Sequence, residues 1–262
     1  MYAFSLLSDL VPLSDTPSTH YPLLYSGLLR GDNYGYFLQT GPREVIAVDA
    51  PEGRVMLEIL AHKRWTLSAL LLTHTHHDHV VHLEELLQKT GCAFYHPQGA
   101  EVPGGGRSLK DEEAFRVNGL RVQALETSGH SDLDFSYWFP DLNLCFCGDT
   151  LFASGCGRMF AGPPDRFWAS LQRLRNLPDA TRICCGHDYL ADNLRFVRQT
   201  LPGLPELLAG EQKASMPLSL AEQKACNPFL LADDPRVASA LGFNEADAVG
   251  VFKKLRELRN QL

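Results

Sequence analysis

Long apolar runs are missing: no stretch of about 18 apolar residues occurs in the chain, so no membrane-spanning helix is expected. Positive charge is in deficit as well. The chain carries 24 Lys and Arg against 31 Asp and Glu, a formal net charge of −7, which argues against nucleic acid or an anionic membrane as a main partner. A local basic pocket for a small anion stays compatible with that balance. No CxxC or zinc-finger spacing exists among the 7 cysteines. The number is odd, and the vicinal Cys184-Cys185 and the Cys145-x-Cys147 pair do not read as a disulfide framework. Free thiols in a reducing cytoplasm are the expectation. The first residues, MYAFSLLSDLVPLS, lack a positively charged start and are interrupted by Asp9, so no secretory signal is expected. No repeat of 20 to 50 residues is visible.

What is present is an ordinary globular balance, 45% hydrophobic and 21% charged over 262 residues. That length suits one catalytic core, or one core plus a small appended domain. Val45-Ile46-Ala47-Val48 and Leu70-Leu71-Leu72 read as buried strands. Leu120, Val122 and Ala124 alternate with polar residues as in a half-exposed strand. Residues 135–139 and 142–146 flank Pro140-Asp141 as a hairpin. Leu83, Leu86 and Leu87, ended by Gly91, predict a helix. So do Phe167, Leu171 and Leu174, with Asp165 near the start and Pro178 at the end. Beyond His187 the pattern turns helical, with a capping box at Ser219-x-x-Glu222 and a helix following Asn244 through Ala248, Phe252 and Leu255. No strand is predicted from residue 190 onward. Residues 202–217 read as a loop-rich connection. A boundary near residue 188 divides a domain of residues 1–188 from a helical one of 189–262.

The strongest signal is Thr73-His74-Thr75-His76-His77-Asp78-His79, placed after an apolar strand and before a helix. Loops at strand ends are where rigid scaffolds position functional groups. His-x-His-x-Asp-His supplies four donors within six residues, more than one ion can use from so short a segment, so two adjacent ions are implied. His77 and His82 are surplus to that pattern and are read as solvent-facing or supporting. Further ligands are expected at other strand ends. Gly129-His130, Gly148-Asp149 and Gly186-His187 each follow an apolar stretch, and glycine there permits the sharp turn that aims a side chain into a shared pocket.

Together these segments resemble the metallo-β-lactamase superfamily. The stretch Gly148-Asp149-Thr150-Leu151-Phe152-Ala153-Ser154-Gly155-Cys156-Gly157-Arg158, with Cys185-Gly186-His187-Asp188-Tyr189 and Asn227-Pro228-Phe229-Leu230, resembles the hydroxyacylglutathione hydrolase (glyoxalase II) family within it. The likeness runs from about Asp32-Asn33-Tyr34 to the C-terminus. It implies an α/β fold, an αββα metallo-β-lactamase sandwich with a small C-terminal helical domain. It also implies two divalent metal ions, zinc foremost, with iron or manganese equally compatible with imidazole and carboxylate donors. By resemblance, His74, His76 and His130 hold one ion; Asp78, His79 and His187 hold the other; Asp149 bridges them. The bridging aspartate separates the chain from true β-lactamases, and the full ligand set separates it from persulfide dioxygenases.

The same resemblance implies that Asp78 and Asp149 serve catalysis with a metal-bridging hydroxide, and that Arg158, Phe160, Tyr189, Arg256 and Arg259 meet a glutathione thioester. Phe160 stands where some family members have tyrosine. Arg256 and Arg259, three apart, are placed on one helix face, opposite an apolar stripe through Phe252 and Leu255. Ser131-Asp132-Leu133-Asp134 departs from the family pattern, which usually has Thr and a second histidine there, and Asn260 replaces a usual aspartate. A thiolate leaving group of pKa about 8–9 needs no strong general acid, and Cys147 and Cys156 are read as packing residues. The implied activity is hydrolysis of S-(2-hydroxyacyl)glutathione, expected as S-D-lactoylglutathione, by a cytoplasmic monomer or weak homo-oligomer. The alternatives are a hydrolase of another thioester, a lactone or a phosphoester, and a metal-binding protein without catalysis.

Overall fold

The computed structural model describes residues 11–12, 21–212, 216–243 and 247–262. The apolar opening segment and Asn244, assigned above from sequence, lie outside these residues apart from Val11 and Pro12. The chain forms two compact units: Met1–Leu125 with Phe135–Leu142, and Glu126–Asp134 with Asn143–Leu262.

The first unit is built on a seven-stranded sheet, ordered β1 (Val11–Pro12), β2 (Leu23–Arg30), β3 (Asn33–Gln39), β4 (Glu44–Val48), β5 (Thr66–Leu71), β6 (Ala93–Pro97) and β7 (Arg107–Leu109). The first four strands meander antiparallel, and β4 to β7 run parallel. Helices α1 (Gly53–Lys63) and α2 (Leu83–Thr90) supply the crossovers on either side of β5. Parallel strands need such crossovers, and their continuous apolar runs follow from burial on both faces. Phe37, Val45, Ala47, Met56, Ile59, Leu70, Leu72 and Leu86 make one buried cluster. Gly91 ends α2 in the left-handed conformation expected of a C-cap. The neighbouring β8 (Ala114–Val117) and β9 (Leu120–Glu126) form a hairpin across Asn118-Gly119, both at positive φ, as its two-residue turn demands. In β10 (Phe135–Phe139) the buried Tyr137 hydroxyl donates to Leu72 O at 2.6 Å, and Phe135 N donates to Thr73 O at 2.9 Å. These two bonds fix the backbone just before His74.

In the second unit β11 (Leu144–Gly148) runs parallel to β14 (Arg182–Cys185). A short hairpin, β12 (Leu151–Phe152) and β13 (Gly155–Cys156), follows β11. Helices α3 (Pro164–Arg175), α4 (Leu190–Thr200), α5 (Leu220–Cys226), α6 (Pro235–Ala240) and α7 (Ala248–Arg259) complete it. Pro164 opens α3, where a missing N–H costs nothing. Ser219 caps α5 by accepting from Glu222 N, as expected. The cap of α7 is Asp247, accepting from Gly250 N at 2.8 Å.

Two expectations need correction. Leu218–Ser219 forms a two-residue strand, β15, antiparallel to β14; a strand this short has no alternation to read in sequence. Residues Pro205–Gln212 coil into a 3-10 segment rather than an open loop.

Phe252 organises the core of this unit. It is fully buried, with ring contacts to Phe167 at 5.6 Å and to Phe229 at 6.5 Å. Phe252→Ala is expected to cost about 3–5 kcal/mol, measured as a shift in the denaturant midpoint at unchanged m-value.

Candidate metal centre

The loop after β5 carries four of the expected donors. His74 and His79 are buried, while His76 and Asp78 are partly exposed. His79 N donates to His76 O at 2.9 Å, closing a 3-10 turn over His77–His79. The turn brings the imidazoles together: the His74 ring centroid lies 4.7 Å from that of His76 and 4.2 Å from that of His79. Ligand atoms of His74 and His76, of His74 and His79, and of Asp78 and His79 lie within 4.8 Å of each other.

Their orientation comes from Asp49, which the sequence reading missed. Asp49 follows β4 directly and is buried at 5% exposure, with φ of 59°. Its Oδ1 accepts from Thr73 N at 2.7 Å; its Oδ2 accepts from Thr73 Oγ1 at 2.8 Å and from His79 Nδ1 at 2.9 Å. A carboxylate only accepts here, so Nδ1 of His79 carries the proton and Nε2 keeps its lone pair. The Thr73 hydroxyl gives its single proton to Asp49 and therefore accepts from His74 Nδ1, at 3.0 Å. That fixes His74 in the same tautomer. Asn33 Nδ2 donates to Asp78 Oδ2 at 3.1 Å and so orients the carboxylate. A signal for Asp49 was available: an acidic residue directly follows β4, the parallel neighbour of the strand that leads to His74, and such strand ends assemble sites. His77 is exposed, and His82 pairs with Glu52 through Nδ1 at 2.6 Å, in line with supporting roles.

The second unit gathers the other three donors. One oxygen of Asp149, Oδ2, lies 3.4 Å from His130 Nε2 and 3.2 Å from His187 Nε2. All three residues are at most 7% exposed. His130 Nδ1 donates to Arg158 O at 2.9 Å, which again leaves Nε2 facing the carboxylate. His187 stacks on Tyr189 at 4.8 Å and an interplanar angle of 6°. The glycines before His130 and Asp149 both adopt positive φ, 139° at Gly129 and 49° at Gly148. Gly157 is required for space: a Cβ there would lie 2.0 Å from Asp149 O and 3.0 Å from His130 Nδ1.

The hairpin after Asp149 is held by helices from later in the chain. Asn193 Nδ2 donates to Ala153 O, Asn227 Nδ2 to Phe152 O and Gly155 O, and Arg256 Nη1 to Cys156 O, all at 2.8–3.1 Å. Gln223 Oε1 accepts from Ser154 N at 2.9 Å. Asn227, singled out in the sequence without a role, is thus a backbone anchor. Arg256 departs from expectation. It is buried at 3% exposure, its guanidinium 5.3 Å from the Phe229 ring, because position 256 lies four residues beyond Phe252 and shares its face. Arg259, seven beyond Phe252, is on that face also, half-buried, with Nε donating to Asn193 Oδ1 at 3.1 Å. Burial first, and then the charges of Arg256, Arg158 and Arg195, lower its pKa against the opposing pull of Asp192. Arg158 and Phe160 are exposed, and the Phe160 ring sits 5.4 Å from that of His130. Cys147 and Cys156 are buried; burial pushes the Cys156 thiol up to about 11 and that of Cys147 well above its usual range. Burial of this kind suits packing residues rather than nucleophiles.

Buried imidazoles presenting Nε2, with carboxylates beside them, form the donor chemistry of a divalent metal site for zinc, iron or manganese. The residues fit such an ion.

The chain is similar to known proteins over most of its length. A metallo-beta-lactamase superfamily profile matches residues 26–187, and a hydroxyacylglutathione hydrolase C-terminus profile matches residues 188–262. A hydroxyacylglutathione hydrolase from Rhodopseudomonas palustris (strain BisA53) is 39% identical over 242 residues, spanning 88% of this chain and 95% of that protein. One from Methylobacterium sp. (strain 4-46) is 37% identical over 255 residues, spanning 92% and 99%. Among solved structures, ETHE1 from Myxococcus xanthus superposes with a TM-score of 0.61 at 24% identity, covering 86% of this chain and 93% of that one.

Outer partners of metal-binding imidazoles typically contribute 10- to 100-fold to metal affinity, by order of magnitude. Asp49→Ala is therefore expected to weaken metal retention by about 10- to 100-fold, read by competition with a chelator. Wild-type retention would remove the orienting role.

Proposed function

The chain belongs to the hydroxyacylglutathione hydrolase family, thioester hydrolases of the metallo-β-lactamase superfamily, and from that premise we propose that it hydrolyses S-(2-hydroxyacyl)glutathione. S-D-lactoylglutathione is the expected substrate and D-lactate the acid released, as in methylglyoxal detoxification. Water adds across the C–S bond: its hydroxyl goes to the acyl carbon and its proton to the departing glutathione sulfur. The observation that carries this reading is Asp149, one of whose buried oxygens lies between two imidazole nitrogens.

In this reading His74, His76 and His130 hold one divalent ion, Asp78, His79 and His187 a second, and Asp149 both. Zinc is the first expectation. When bound, such ions polarise a carbonyl and bring the pKa of water near neutrality. The protein's own part is positional. Asp49, Thr73 and the Arg158 carbonyl fix three imidazoles in one tautomer. Asp78 and Asp149 bring the negative charge that draws cations to the site. Glutathione carries two carboxylates, which suit the cationic group of Arg158 and Arg259, with Arg256 supporting it from beneath. An anion there would offset the burial and the neighbouring arginine charges that together lower the Arg259 pKa. The Phe160 and Tyr189 rings flank His130 and His187 and offer apolar surface to the acyl portion. The meeting of the two family profiles between residues 187 and 188 supports a catalytic domain of 1–188 and a substrate-binding domain of 189–262. No helix among the described residues is long and apolar enough to cross a membrane; seven free cysteines favour a reducing, cytoplasmic setting.

Loss of thioester absorbance with S-D-lactoylglutathione tests the proposal. Turnover no faster than with unrelated thioesters would contradict it. Asp149→Ala should lower kcat by at least about 10²–10³-fold, the scale of losing one principal electrostatic group, with the circular dichroism spectrum unchanged. Arg259→Ala removes substrate binding that does not change along the reaction, so KM should rise while kcat holds; an equal fall in kcat would assign Arg259 to the chemical step.

A further inference from the structure

The loop that presents His130, residues 127–134, is organised by the side chain of Asp134. Thr127 N donates to Asp134 O at 2.7 Å and closes the loop at its base. Within it, Asp134 Oδ2 accepts from Ser131 N at 2.6 Å and, at 3.1 Å, from Gly129 N, an N–H that it shares with Ser131 O at 3.0 Å. These are the amides immediately before and after His130. Asp134 Oδ1 accepts from Ser131 Oγ at 2.5 Å, and Asp134 N donates to Ser128 Oγ at 3.2 Å. The residue is buried at 3% exposure. Helix α3 secures the same loop from outside, with Ser170 Oγ donating to Ser128 O at 2.7 Å.

We infer that Asp134 is a positioning residue for His130: one carboxyl oxygen brackets the histidine by holding the amides on both sides of it, and so sets the direction in which its imidazole leaves the backbone. Two constraints then act on the ring, the bracket at its root and the Arg158 carbonyl at Nδ1, and Nε2 is left with one direction. The inference rests on the proposed role of His130 as a metal ligand. Burial, aided by the Asp149 charge, raises the Asp134 carboxyl to about 7 against the bonds from Ser131 and Gly129. The bracket tolerates protonation, because a proton on Oδ1 faces the Ser131 hydroxyl while Oδ2 keeps both amides. An asparagine can do the same, with its amide oxygen at Oδ2 and its NH2 at Oδ1.

Titration of the metal-free protein with cobalt(II), followed by visible absorption, separates the possibilities. Asp134→Ala is expected to weaken one of two cobalt sites by about 10- to 100-fold, the usual scale for an outer partner. Asp134→Asn should restore affinity to near the wild-type value. Ser170→Ala, which loosens the loop without touching the bracket, should leave cobalt affinity unchanged even where it lowers the melting temperature. Wild-type affinity in Asp134→Ala, or equal loss in Asp134→Asn, overturns the inference. His130→Ala is the control for the reading beneath it: two intact cobalt sites in that variant would overturn the ligand assignment itself, whatever Asp134 does. Should Asp134→Ala fail to fold, amide exchange in the wild-type protein decides instead. The Ser131 amide, which Asp134 holds, is expected to be protected, and fast exchange there contradicts the bracket.

Discussion

A carboxylate out of water must share its charge with something, and Asp149 stands in a donor set that suits a divalent cation for that part. Its oxygen sits between His130 and His187, all three nearly inaccessible to solvent. Such a group is costly when isolated and stable when positive charge is shared with it. Much of the second unit serves this placement. Gly148 turns the chain out of β11, Gly157 lets the backbone pass against Asp149, and the intervening hairpin is pinned by Asn193, Gln223, Asn227 and Arg256. The C-terminal helices thus hold the hairpin that follows Asp149.

The imidazoles follow one rule in both units. In His74, His79 and His130 the Nδ1 proton goes to the protein, to Thr73, Asp49 and the Arg158 carbonyl, and Nε2 is reserved for the site. Using one nitrogen for the fold and the other for function gives each ring a single tautomer and limits its rotation. Parallel strands make this economical, since β4 leads into Asp49 and β5 leads to His74 from adjacent positions in one sheet.

Much of this was readable in advance. The donor-rich loop, the glycines before His130 and Asp149 and the helices around Leu86, Leu171 and Phe252 follow from period, punctuation and residue type, which are local properties. What sequence did not disclose depends on distance in space. Asp49 and Asn33 look like ordinary polar residues until the fold sets them against His79 and Asp78. Asp134 read only as a departure from a pattern, although its bonds make it the organiser of its loop. Arg256 lies four residues after Phe252 and is buried with it, a position that the charge of the residue type conceals. The strand at Leu218–Ser219 exists because β14 offers it an edge, and two residues carry no period of their own.

The most direct test of the account is metal content measured on the same preparation that is assayed with S-D-lactoylglutathione. Two divalent ions per chain are predicted, with activity lost on chelation and regained when metal is returned. Full turnover by protein holding less than one ion per chain would contradict the shared role of Asp149 and of the histidines around it.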